Sequence, residues 1–432
     1  MSMKIPRYRL EVCAAGLGAA VLGVVGAIPM WADLLFLVIL LCGVLALFFP
    51  SVLLGVAVAS LGISPEAIWS GRQVCGLELS TVHNAVVLLS AIPLGLRRGL
   101  RRVFNPVVVA AILLLFLTLV ASNRDPLLPG WEPFEACAAM MLGPFLFELR
   151  FGKKLAASFL KVLAWMPVVN VVLAIVLAAV VGRPLARMEF GVFRLQGAAV
   201  PSHLGVVAMI GSIAALCAGI DVRAYLAVAS IDMLIVFLTG TRSAIVGVLM
   251  VLVVFVFSEV LRRLRHGGIP ARLVAGSLMA VFLGFLVYGP QLSKRFVGNP
   301  FEGYWLNTSG RVRAWEFFWE EGMRSPVFGL GLGASTVVNQ GQVNQAFRVP
   351  HNEFIRFFVD GGFVGLGIWV SGVFFVFARV IRQIAPPYWS IGLGSILVFV
   401  DLAFVGNAVS NQHFAVPFWV LLGCLRELSA GS

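Results

Sequence analysis

Apolar runs of helical length, separated by short polar segments, make up most of this chain. Examples are LLFLVILLCGVLALFF from Leu34 and VLMVLVVFVF from Val248. Neither run alternates apolar and polar residues with a period of two, as the strands of an outer-membrane barrel do. The pattern therefore predicts an all-α polytopic membrane protein with about 12 to 14 transmembrane helices.

Composition and charge agree with a membrane protein. The chain is 60% hydrophobic and only 12% charged, too little polar surface to cover a water-soluble globule. The net charge of +12 could suggest a nucleic-acid partner. Basic clusters at 97–102 and 150–154, however, fall in alternate loops, where the positive-inside rule expects them. Topology therefore explains much of the charge, and it predicts both termini in the cytoplasm and no nucleic-acid partner.

A single long hydrophilic segment, 291–350, interrupts the apolar runs. It divides the chain into a helical bundle at 1–289, a large outer loop at 290–350 and closing helices at 351–432. Within the loop, RAWEFFWEEGMRSP spaces Trp315, Phe318 and Trp319 as in an amphipathic helix at the outer membrane surface. The loop is therefore predicted to be a functional element that covers a cavity.

Many arginines lie on the predicted outer side, against the positive-inside rule. They are Arg183, Arg187, Arg194, Arg242, Arg295, Arg311, Arg313, Arg324 and Arg348. A guanidinium binds phosphate oxygens bidentately, although some of these side chains could instead be interfacial anchors. Arg194, Arg242 and Arg311 each precede or open a predicted helix, where backbone N–H groups favour an anion. The group predicts a diphosphate pocket, with Arg313 and Arg348 as further candidates.

His351 lies where the outer loop meets a returning helix. An imidazole changes protonation near neutral pH, so it can take a proton from a hydroxyl; a capping or interfacial role is the alternative. His203 is a second candidate, with a pore-lining or capping role as its alternative. Glu353 is predicted to face away from His351, and Asp360 to solvate its helix. The outer carboxylates form no clear metal-binding pattern, so neither a metal nor another cofactor is predicted.

Scattered cysteines add no site to this picture. Six of them, with neither disulfide nor metal spacing, lie mostly within apolar runs and are interpreted as small hydrophobic residues: Cys13, Cys42, Cys75, Cys137, Cys217 and Cys424.

Four short elements occur in a fixed order on the predicted outer side. They are Arg194 with Gly197, Thr241 with Arg242, the run GR…W…SPVFGLGLG at 310–333, and His351-Asn352 followed by Gly361, Gly362 and Gly365. In this order and sidedness, the chain resembles the O-antigen ligase family of bacterial inner-membrane glycosyltransferases. That group is related to O-antigen polymerases and protein O-oligosaccharyltransferases.

The resemblance implies a GT-C-like fold with a periplasmic active site in the bacterial inner membrane. It also implies transfer of a glycan from undecaprenyl diphosphate to a sugar hydroxyl of lipid A core, without a metal and with inversion at the anomeric carbon. His351 would be the general base, and the arginines would hold the diphosphate.

Three alternatives remain at this stage. An O-antigen polymerase is the nearest, because the spacing from Arg194 to Gly205 is associated with such enzymes. A protein O-oligosaccharyltransferase is the second. A transporter of lipid-linked glycans is the third, but it would place charges near the bilayer midplane, whereas these apolar runs contain few, chiefly Lys161 and Asp232.

Overall fold

The computed structural model describes residues 48–64, 73–74, 77–102, 104–120, 124–189, 192–266, 311–343 and 348–430. The first predicted span, nearly all of the second, the predicted helix at 273–288 and the first part of the outer loop, with Arg295, lie outside these residues.

Helices dominate the described residues, as the sequence predicts. We number twelve α-helices in chain order: α1 Pro50–Leu61, α2 Leu79–Arg98, α3 Pro106–Val120, α4 Glu132–Glu148, α5 Lys153–Val181, α6 Pro201–Asp221, α7 Ala224–Thr239, α8 Arg242–His266, α9 Arg311–Gly322, α10 Glu353–Gln383, α11 Trp389–Val405 and α12 Gln412–Ser429. By length and composition, four helices in the described ranges could cross a membrane, namely α5, α6, α8 and α10. Four shorter helices, α1, α3, α7 and α11, are also apolar.

Two short hairpins accompany the helices, although the sequence pattern predicts no strand. Strands β1 Gln73–Val74 and β2 Leu77–Glu78 form the first, and β3 Ala186–Glu189 and β4 Val192–Leu195 form the second. In the second hairpin, Arg187 is opposite Arg194. Successive side chains alternate across a strand, and Phe193 is 66% exposed whereas Arg194 is only 6% exposed. The hairpin therefore directs Arg194 into the protein.

Helix α12 lies at the centre of the bundle. It packs against α4, α5 and α6, and nearly all of its residues are buried, as expected of a helix that is enclosed on every side. The rings of Phe414 and Phe418 stack with centroids 5.0 Å apart. Near the opposite end of α12, Arg426 Nη1 lies 3.7 Å from Glu148 Oε2 in α4. An aromatic core and a buried ion pair thus join α4 to α12.

Helix α10 is broken at Gly362, where φ is +60° and ψ is −162°. The break exposes backbone groups that a regular helix would pair internally. These groups form hydrogen bonds with segment 326–331 instead; for example, the Phe363 N–H donates to the Pro326 carbonyl at 2.8 Å. The glycines in the sequence motif therefore have a structural role, because they let the outer loop dock on α10 through backbone hydrogen bonds.

Replacing Gly362 with Ala is expected to destabilise this docking. The observed φ and ψ belong to a region that is almost restricted to glycine, at a cost of about 1–3 kcal/mol for other residues. A Cβ would also overlap the carbonyl of Val327. We expect a thermal midpoint several degrees lower for the purified protein in detergent. Gly367→Ala in the same helix is the control, since a Cβ there meets no atom within 4 Å; equal midpoints for the two variants would contradict this role.

The predicted amphipathic helix in the outer loop is confirmed as α9. Phe318 on its inner face is fully buried in a cluster that includes Leu330 of the loop and Val359 of α10. Trp319 stacks on Phe358 of α10, with ring centroids 4.6 Å apart, and is 46% exposed. Helix α9 therefore covers the beginning of α10, the place where His351 lies.

Candidate active site

The backbone on both sides of His351 is fixed by hydrogen bonds. The Trp315 indole of α9 donates from Nε1 to the Pro350 carbonyl at 2.8 Å. The Asn352 side chain caps α10, since its Oδ1 accepts from two backbone N–H groups of the first turn at 2.9 and 3.1 Å. His351 itself has a φ of +49°, which is uncommon for a residue other than glycine. The histidine is thus held in an unusual conformation between two anchored neighbours.

The loop between α11 and α12 contributes a side chain that sequence reasoning missed. The Asn407 amide lies 3.1 Å from His351 Nδ1. The same loop is bound by Glu353, whose Oε1 accepts from the Val409 N–H at 2.7 Å and whose side chain is fully buried. Glu353 therefore supports the site indirectly, because it holds the loop that carries Asn407. In the sequence, this loop is marked by the polar run GNAVSNQ between two apolar helices.

Glu353 belongs to a buried ionic network in the first two turns of α10. Arg356 Nη1 lies 3.4 Å from Glu353 Oε2, and Arg356 Nε lies 3.8 Å from Asp360 Oδ2. Asp360 Oδ1 accepts from the Ser335 N–H at 2.8 Å. The prediction that Asp360 solvates the helix is wrong, because the 333–336 segment lies against it and leaves it 1% exposed. Pairing with Arg356 offsets part of the cost of burying these carboxylates.

Arg194 is held by groups of the protein itself. Its Nε donates to the Thr239 carbonyl at 2.6 Å, its Nη2 donates to Thr241 Oγ1 at 3.1 Å, and its Nη1 donates to Glu189. Thr241 Oγ1 in turn donates to the Pro201 carbonyl at the start of α6 at 3.0 Å. Arg194 therefore fixes the turn that leads from α7 into Arg242 and α8.

We expect Arg194→Ala to lower stability as well as activity. The substitution removes a nearly buried guanidinium together with its three hydrogen bonds. The Thr239 carbonyl then lacks this donor, which lowers the free energy of unfolding by roughly 1–3 kcal/mol. Arg187→Ala is the matched control in the paired strand, because Arg187 is exposed and bonds Glu189 alone at 2.7 Å, a contact of little stabilising value. Thermal unfolding in detergent measures both variants; an Arg194→Ala midpoint equal to that of Arg187→Ala would contradict the structural role.

Three of the five predicted arginine ligands, Arg194, Arg242 and Arg311, come together in the structure. Arg242 is the first residue of α8, and Arg311 lies in the first described turn of α9. The positive charges of Arg311 and Arg194 both act on Arg242. Asp401 of α11, which sequence reasoning missed, lies within electrostatic reach of Arg311. Like charges in one place favour an anion between them, and the N-terminus of α8 adds to that preference. Arg313 and Arg348 are exposed.

The remaining described outer arginines have structural contacts. Arg183 Nη2 donates to the Ala199 carbonyl at 3.2 Å, and burial lowers the pKa of this guanidinium. Arg324 is paired with Glu321 at 2.6 Å and with Asp125 at 3.5 Å. The hydrogen bond to Glu321 raises the pKa of Arg324. These contacts match the alternative interpretation of the outer arginines as structural anchors.

The second histidine candidate lies beside another histidine. The rings of His203 and His413 stack with centroids 4.1 Å apart and planes at 29°. His413 Nδ1 lies 2.9 Å from the Leu61 carbonyl, and because a carbonyl only accepts, this nitrogen carries a proton. His413 is buried and structural. His203 is partly exposed at the start of α6 and stays a candidate.

Gly197, the glycine of the motif that begins at Arg194, lies close to α5. Its φ is +62°, and a Cβ would overlap the side-chain oxygen of Asn170. That oxygen accepts from the Ala198 N–H at 2.9 Å. The glycine after Arg194 therefore seats the hairpin on the bundle.

The comparison with known families bears on this part of the chain. Residues 224–370 match the O-antigen ligase family model. The matched segment contains Arg242, Arg311 and His351, whereas Arg194 and Asn407 lie outside it. No match was found among curated proteins. The family match supports a ligase- or polymerase-type glycosyltransferase function, and the apolar helices indicate a multi-pass membrane protein. Over this segment, the chain is similar to the O-antigen ligase family.

Proposed function

We propose that this protein is an O-antigen ligase. It transfers a glycan from undecaprenyl diphosphate to a sugar hydroxyl of lipid A core, at the periplasmic face of the bacterial inner membrane. The observation that carries the proposal is the grouping of Arg194, Arg242 and Arg311. Arg242 and Arg311 lie with His351 in the family-matched segment. The proposal includes the GT-C-like fold, about 12 to 14 membrane crossings and cytoplasmic termini.

His351 is the general base in this mechanism. As the acceptor hydroxyl oxygen attacks the anomeric carbon, His351 takes the hydroxyl proton. The bond from the anomeric carbon to the diphosphate oxygen breaks, and its electron pair leaves with the diphosphate. Attack from the face opposite the leaving group inverts the configuration. The imidazolium then gives its proton to water, which restores the base.

Arg242 and Arg311 stabilise the leaving diphosphate. Negative charge grows on its bridging oxygen as the bond breaks, and oriented donors at that position lower the barrier. Arg194 has three protein contacts, so its main part is to hold the turn before Arg242. A diphosphate is a good leaving group, and the reaction therefore needs no strong acid. The resemblance to the family implies that it needs no metal ion either.

A transfer assay tests this function. Purified protein in detergent receives undecaprenyl-diphosphate glycan with one of three acceptors: lipid A core, a second lipid-linked glycan, or an acceptor protein. Each reaction is run with and without EDTA. The proposal predicts product on lipid A core that EDTA does not suppress. Extension of the lipid-linked glycan alone would indicate a polymerase, a function that the family match also covers. Product on the protein alone would indicate an O-oligosaccharyltransferase, and no product with any acceptor would favour a transporter.

A further inference from the structure

We propose that Asn407 is a positioning residue for catalysis, an inference that rests on the proposed function. Its side-chain oxygen holds the His351 ring with the proton on Nδ1 and so leaves the Nε2 lone pair for the acceptor hydroxyl. Asn407 lies outside the family-matched segment.

The contact that carries this inference is the 3.1 Å separation between the Asn407 amide and His351 Nδ1, with Nδ2 as the nearer amide atom in the structure. Turning the amide by 180° places Oδ1 at the same point, because the two ends of an amide have nearly the same shape. The two orientations have opposite chemical consequences, since a neutral imidazole carries only one N–H.

Only one orientation leaves a base at Nε2. If the amide N–H donates to Nδ1, the imidazole proton is on Nε2, and that nitrogen has no lone pair for the acceptor hydroxyl. If Oδ1 accepts from Nδ1–H, Nε2 has the lone pair. The same oxygen then stabilises the imidazolium that forms when the hydroxyl proton arrives. General base catalysis through Nε2 therefore requires the amide oxygen at Nδ1.

Asn407 is anchored well enough to impose this tautomer. The Asn407 carbonyl accepts from the Asn411 N–H at 2.9 Å, and Asn411 Oδ1 caps α12 by accepting from the His413 N–H at 3.1 Å. Val409 follows two residues after Asn407, and its N–H donates to the fully buried Glu353. The loop is thus fixed to both α10 and α12, so the amide stays next to the imidazole.

The pH dependence of transfer is the first test. Ionisable groups on α10 and on the helices packed against it stay unchanged when Asn407 is replaced: Glu353, Arg356 and Asp360 in α10, Arg311 in α9, Asp401 in α11, and His413 in α12, whose ring stacks on His203. Asn407→Leu keeps the size of the side chain without a hydrogen bond. We expect it to lower kcat on the order of 10- to 100-fold, the scale of a misplaced catalytic group, with little change in KM.

Asn407→Asp should behave differently from Asn407→Leu. A carboxylate beside Nδ1 stabilises the imidazolium, so the apparent pKa on the acidic limb of kcat/KM rises. The enzyme should then lose activity at a higher pH than wild type but keep substantial activity above that limb. Ser410→Ala, which removes an exposed hydroxyl in the same loop, is the control and should leave the pH profile unchanged.

Nitrogen-15 NMR of the histidine rings is the second test, and it needs no turnover. Comparison with His351→Ala assigns the His351 signals in the full-length protein. Wild type should show a proton on Nδ1, and Asn407→Leu a mixture of both tautomers. A proton on Nε2 in wild type would overturn the proposal, as would wild-type kinetics and pH profiles for both Asn407 variants. Failure of the ligase function has a separate signature, namely no transfer by wild type while the ring still carries its proton on Nδ1.

Discussion

Replacing His351 with Ala is expected to lower kcat for glycan transfer by about 10²- to 10⁴-fold, the usual contribution of a general base. The loss should fall on kcat rather than on donor binding, because the imidazole acts on the acceptor hydroxyl and not on the diphosphate. His351→Gln should lose as much, since an amide can form a hydrogen bond but cannot take up a proton. The assay uses lipid A core in detergent and reports initial rates.

This result assigns a catalytic role only if both variants keep the wild-type fold. Thermal midpoints and gel-filtration profiles of both variants should match wild type, since the backbone at this point is fixed by Trp315 and Asn352. His203→Ala is the decisive companion, because His203 is the other histidine candidate. Loss of transfer in His203→Ala with a fully active His351→Ala would assign the base to His203 instead.

Replacing Arg242 with Ala is expected to lower kcat/KM by about 10²- to 10³-fold, the scale of one oriented donor at a developing anion. Arg242→Lys should recover only part of the loss, because an ammonium keeps the charge but cannot bind two phosphate oxygens in a fork. Arg324→Ala is the control, since that exposed outer arginine is paired with Glu321 and Asp125 and should stay within a few-fold of wild type.

The activity lost on replacing each remaining arginine should depend on where its side chain lies. Arg311→Ala should resemble Arg242→Ala, since the two side chains act on each other electrostatically. Arg313 and Arg348 are exposed, and their Ala variants should lose less activity. If Arg242→Ala and Arg311→Ala both kept near-normal transfer, the diphosphate pocket would have to lie elsewhere.

The sequence was sufficient for much of the helical architecture. The run 107–120, for example, is apolar except for Thr118, and the structure has the helix Pro106–Val120 there. The choice of candidate arginines also carried information, because the structure brings three of them together. Local composition and charge position are properties that a single sequence displays directly.

Long-range pairing could not be predicted in the same way. Asp360 looks like a surface carboxylate in sequence, yet a segment about 25 residues earlier, 333–336, buries it. Glu353 reaches the site only through a loop that follows α11, and Asn407 is recognisable only once His351 is 3.1 Å away. The break at Gly362 depends on segment 326–331, with which it pairs. Each of these features arises from contacts between distant parts of the chain.

The central claim is that the arginines bind the diphosphate and His351 performs the chemistry. Its most direct test measures the affinity of the purified wild type, Arg242→Ala and His351→Ala for undecaprenyl diphosphate, alongside transfer by the same preparations. The account predicts that Arg242→Ala loses both affinity and transfer, whereas His351→Ala binds as wild type does and transfers nothing. Equal affinity for all three proteins, or loss of affinity in His351→Ala alone, would contradict this division of roles.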